Sequence, residues 1–181
     1  MGRARGGTPP SGGGKRRAAS AAPARTPVTI SPDEQDRIDK RLERMPIERD
    51  GLRLAITQFG AKFDADSWRD AFTSEDPAEH NRALLVTANF RALVDNLIEL
   101  FREGATITGL RQAGRRLSTN ADVEAVRLDG GLTGKQCQQL VQFKVFADQL
   151  RHGYIDVDAD DVHTAVQQLL SALPALTAAY S

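Results

Sequence analysis

The stretch FADQLRHGYIDVD, Phe146 to Asp158, holds the side chains best placed by type and spacing to do chemistry. His152 changes charge near neutral pH, so it can take or give a proton as a general base or acid. Tyr154 follows two residues later and offers a phenolic hydroxyl. The same histidine also has a plain use. It falls where a long helical pattern runs out before Gly153, and a histidine there interacts favourably with the last carbonyls and the helix dipole. Spacing alone leaves both uses open.

Other chemistries are weaker in the sequence. A metal site from His152, His163 and Asp158 matches no established ligand spacing, and no metal or cofactor is expected. His80 and His163 read as bystanders. Arg111, Arg115 and Arg116, with Arg127 further on, could rim an RNA-binding surface or simply form a solvated face. The segment GLRQAGRR has glycines but lacks the GK[ST] of a phosphate loop and a preceding strand. No serine sits in a nucleophile-elbow context.

The elements that must hold His152 are helical. Ser31, Pro32 and Glu34 form a helix start, with the serine as cap, the proline at the first position and the glutamate closing a capping box. Ile38 and Leu42 continue an apolar stripe, and Pro46 predicts a break or kink. A second piece runs from Ile47 through Phe59 and ends at Gly60. DADSWRDAFTS predicts a short helix with Trp68 and Phe72 on one face, as core residues. The clearest helix starts at Asp76 and Pro77 and ends at Gly104, with Leu85, Phe90 (or Ala88), Leu93, Leu97, Leu100 and Phe101 on its apolar side. STNADVEAVRLDGG predicts a shorter one. Thr133 caps the helix in which Leu140, Phe143, Ala147 and Leu150 keep helical spacing and which ends at Gly153. The last helix is capped by Asp158 or Asp160, turns Val162, Val166, Leu169, Leu170 and Leu173 inward, and is bent or ended by Pro174. Only ATITGL hints weakly at a strand. The expected fold is all-α, a bundle of four to five helices over residues 32–181.

Composition agrees. The 181 residues suit one domain and a tail, and 40% are hydrophobic, much of it leucine and alanine. Residues 1–31 carry six basic and no acidic side chains, so 18 basic face 24 acidic in the rest, a net charge of −6. The body is therefore no general polyanion binder, and any nucleic-acid contact must be a local patch. The Gly/Pro/Ala/Arg-rich tail is expected to be disordered, either as an electrostatic arm for nucleic acid or as a solvated extension. One cysteine, Cys137, excludes an internal disulfide and suggests a reducing, cytoplasmic setting. No apolar run is long enough for a membrane span.

The region from Cys137 onward resembles HepT-like proteins of the HEPN superfamily. The likeness rests on a long helix ending in RHGY, the connector IDVDADDV, a final helix carrying LLSALPAL, and a long apolar-striped helix earlier. It spans roughly residues 33–181 and is densest over 140–176. The resemblance implies a homodimeric helical bundle that cleaves RNA without a metal, partnered by a nucleotidyltransferase antitoxin. His152 and Tyr154 match the family's H-x-Y. The family arginine belongs five to seven residues before the histidine, at Ala147, Phe146 or Val145, and none is basic. At the commonest spacing Ala147 takes its place, and Asp148 that of the neighbouring polar residue. Lys144 and Arg151 lie nearby but off the family spacing.

The arginine matters because RNA cleavage builds charge on the phosphorane while the histidine moves protons. A guanidinium fork would hold two phosphate oxygens. The resemblance thus implies a ribonuclease weakened or silenced at position 147, whether naturally or by an inactivating substitution. It also makes Tyr154 the acceptor of AMP groups added by the antitoxin, which would place negative charge where RNA phosphate sits. The alternative from a different class is a non-catalytic helical dimer that binds a partner protein or RNA.

Overall fold

The computed structural model describes residues 30–60, 63–107, 109, 119–128, 131–152 and 157–180. The predicted basic tail lies outside these. Among the described residues the chain is all α-helical: α1 (Pro32–Thr57), α2 (Ala65–Thr73), α3 (Pro77–Ile107), α4 (Thr119–Leu128), α5 (Gly134–His152) and α6 (Ala159–Thr177), closed by a 3₁₀ turn (Ala178–Tyr180). No described helix is long and apolar enough to cross a membrane.

The helix starts follow the local chemistry. Ser31 Oγ accepts from the Glu34 amide at 3.3 Å, and Glu34 Oε2 accepts from the Ser31 amide at 2.9 Å, closing the predicted capping box. Those bonds hold the Glu34 carboxyl below its usual pKa. Asp64 and Ser67 repeat the device on α2, and Thr133 and Gln136 on α5. Asp158, rather than Asp160, caps α6.

α3 is the central helix, 31 residues long, packed against α1, α2, α4 and α5. α1 lies antiparallel to it: Arg37 pairs with Glu103, Asn96 bonds the Arg41 carbonyl, and Arg82 donates to the Gln58 carbonyl at the other end. Arg82 is therefore a cation on the C-terminal carbonyls of α1, where the dipole favours it. Its guanidinium also stands 4.6 Å over the Phe59 ring. The core is built from Phe90, Leu93, Leu97, Leu100 and Phe101 of α3, with Leu52 of α1, Leu140 and Leu150 of α5, and Leu169 and Leu176 of α6. Trp68 is buried, stacks on Phe72 at 4.8 Å, and donates Nε1 to the Ala83 carbonyl.

Four expectations are corrected. α1 and α6 are not broken or ended at Pro46 and Pro174 but continue as helix past them. Each proline removes a hydrogen-bond donor from the helix interior, at a cost of about 3 kcal/mol that tertiary packing must offset. α3 continues past Gly104 to Ile107, because Gly104 is a close-approach site: a Cβ there would lie 2.1 Å from Tyr180 Oη. The first three residues of ATITGL are thereby the last of α3, not strand. Leu85 is exposed, on the side of α3 away from the core.

Candidate functional site

α5 is apolar toward the core through Cys137, Leu140, Phe143, Ala147 and Leu150. Ala147 is 0% exposed. The position that the resemblance gives to an arginine therefore faces packed side chains. A helix turns about 100° per residue, so positions 147 and 152 stand about 140° apart around the axis. Position 145 stands only about 20° from 152, and 148 about 40°. The register that shares the histidine's side is thus occupied by Val145, which is 54% exposed, and by Asp148.

His152 is the last residue of α5. Tyr154, Arg111, Arg115 and Arg116 lie outside the described residues. Arg127 is on α4 and pairs with Glu124 through two guanidinium nitrogens.

Asp148, Lys144 and Arg151 are brought together, and α3 adds a residue that sequence reasoning missed. Asp95 accepts from Arg151 Nη2 at 2.7 Å and lies 3.6 Å from Lys144 Nζ. Asp148 accepts from Lys144 and stands 3.6 Å from Arg151 Nη1. Two cations and two carboxylates alternate in one cluster, so the two cations nearest the expected arginine position, Lys144 and Arg151, are already neutralised. The only sequence signal for Asp95 was its place as a polar residue in an apolar helix. Behind it, buried Asn96 bonds the Arg41 carbonyl at 3.1 Å. Burial pushes the neighbouring Glu48 carboxyl above its usual range, while Arg44 and Asn96 pull the other way.

The remaining histidines have structural partners. His80 Nδ1 donates to the Phe72 carbonyl at 2.7 Å, at the end of α2. His163 lies against the Phe63 ring, centroids 5.4 Å apart. Among the described residues no group of three His, Cys, Asp or Glu side chains could hold a metal ion. Cys137 donates Sγ to the Val123 carbonyl, and burial raises its thiol pKa.

Beside the charge cluster, α5 and α6 enclose a groove of about 380 Å³. Its apolar surface comes mainly from Val141, Val145, Phe146 and Ala165, and its polar edge from Gln142 and Gln149 of α5 with Asp161, Thr164 and Gln168 of α6. α5 is therefore apolar on two sides, one buried and one open.

The fold and site define a helical bundle whose fifth helix carries a neutral ion-pair cluster and an open apolar groove. Comparison with protein-family models, curated proteins and solved structures finds no match for the chain.

Proposed function

We propose that the chain is a HepT-like helical protein acting as a non-catalytic homodimer, with the α5–α6 groove as its binding face. The observation that carries this is the burial of Ala147 on the side of α5 opposite position 152. A phosphate clamp at that position would have to enter the core. The nearest cations, Lys144 and Arg151, are held by Asp95 and Asp148. On the histidine's own side of the helix, next to the paired Asp148, an apolar strip of Val145 and Val141 borders the groove. A self-associating helix pair needs such a face, with apolar centre and polar rim.

The test has two parts. Sedimentation equilibrium should give a dimer for the native chain and a monomer for Val145→Glu, with unchanged helical circular dichroism. Incubation with total RNA should leave the RNA intact. A chain that stays monomeric at all concentrations sinks the proposal, as does fragmentation of RNA that is lost in His152→Ala.

The second outcome would restore the reading of the chain as a HEPN-type endoribonuclease, which Asp148 favours by lying one helical turn before His152. In that reading Tyr154 is the AMP acceptor and a nucleotidyltransferase antitoxin is the partner. The clamp then belongs at position 145, and Val145→Arg should increase cleavage.

A further inference from the structure

Away from α5, a cleft of about 400 Å³ opens between α1 and α6. We infer that it binds an amphipathic anion, an alkyl chain with a single carboxylate or phosphate head. The cleft is apolar at one end and cationic at the other. The C-terminal end of α6 lies toward the start of α1, so Leu42 and Met45 of α1 lie toward Leu173 and Thr177 of α6 at the apolar end, with Leu170 toward the arginines. Arg49 and Arg53, one and two turns further along α1, line the other end. From Leu42 to Arg49 is about 10 Å along the helix, the reach of a medium-length alkyl chain.

Two independent features point the same way. The first is charge. Arg49 lies 2.9 Å and Arg53 3.8 Å from the same exposed carboxylate, Asp50. Two guanidiniums share one weakly held partner, so a net positive charge remains for a ligand head group. The second is the placement of the prolines. Pro46 and Pro174, which α1 and α6 each carry inside the helix, both line this one cleft. Each deprives the carbonyl four residues earlier of its helical donor, and those carbonyls belong to Leu42 and Leu170, also in the lining. Two helices that break the same local rule at one shared cleft mark a place shaped for something other than helix stability. The size and the mixed apolar and cationic wall suit a small amphipathic ligand.

The experiment is isothermal titration of the full chain with decanoate and with decyl phosphate, each below its micellar concentration, and with decylamine as the charge-reversed control. Binding of either anion with none of the amine is expected, and the tighter of the two identifies the head group. The double variant Arg49→Gln/Arg53→Gln should weaken binding at least tenfold. Leu42→Trp, which fills the apolar end, should weaken it independently. The inference is overturned if neither anion binds, if decylamine binds as well as they do, or if both variants bind like the native chain while folded by circular dichroism. None of these outcomes bears on dimer formation through α5 and α6.

Discussion

Ala147 decides more than any other single residue. Its side chain is 0% exposed among Leu140, Phe143 and Leu150. Restoring an arginine there would bury a guanidinium with no carboxylate partner in the core. Ala147→Arg is therefore expected to destabilise the chain by about 3 kcal/mol or more, read as a lower urea midpoint, without conferring RNA cleavage. Glu48 gives a second test at this scale. Burial raises its carboxyl, so the charged form is the one the folded state disfavours. That penalty is absent at low pH, where the group is protonated folded and unfolded, and it grows as pH rises through and above the ordinary carboxylate range. Glu48→Gln should then raise Tm at pH 7, and the gain should vanish by about pH 4. A gain that persists at low pH would assign it to packing instead. The sequence marked His152 by type, but it could not mark Asp95, because an isolated aspartate in a long helix looks like a solvated residue until α5 sets Lys144 and Arg151 beside it.

The elements were legible where local chemistry acts alone. Capping at Ser31 and Thr133 and the helical spacing of α5 are short-range facts, and they emerge as expected. The helix continues past Gly104, and past Pro46 and Pro174 where a break or an end was among the expectations, because packing overrides local preference. Gly104 shows how. In an exposed helix interior Gly→Ala is stabilising by about 1 kcal/mol, but here the new Cβ would meet Tyr180 Oη at 2.1 Å. Tyr180 also packs edge-on against Phe101 at 5.4 Å, which limits how far its ring can move away. Gly104→Ala is expected to destabilise by about 1–3 kcal/mol in the native chain. In a Tyr180→Ala background the same change should become neutral or stabilising. A double-mutant cycle from thermal or urea unfolding measures that reversal, and additive effects would refute the contact as its cause.

At the scale of the whole molecule, the two surfaces of α5 ask for different partners. One is satisfied by α3 and α4, and the other borders the open groove with Val145 more than half exposed. If a second copy covers that face, dissociation and unfolding are linked. The native dimer then gains stability with concentration by mass action, as any state that binds a partner does. Thermal unfolding followed over a hundredfold range of protein concentration should show Tm rising for the native chain. For Val145→Glu it should stay flat, because a carboxylate at the centre of an apolar contact leaves a buried charge unpaired. The charge cluster at Asp95 should not enter this dependence, since its four side chains already neutralise one another within one chain. Asp95→Asn would therefore lower Tm equally at every concentration. A Tm independent of concentration in the native chain would leave the groove open to a different protein, and would move the search for a partner from self-association to capture of a helix with an apolar face.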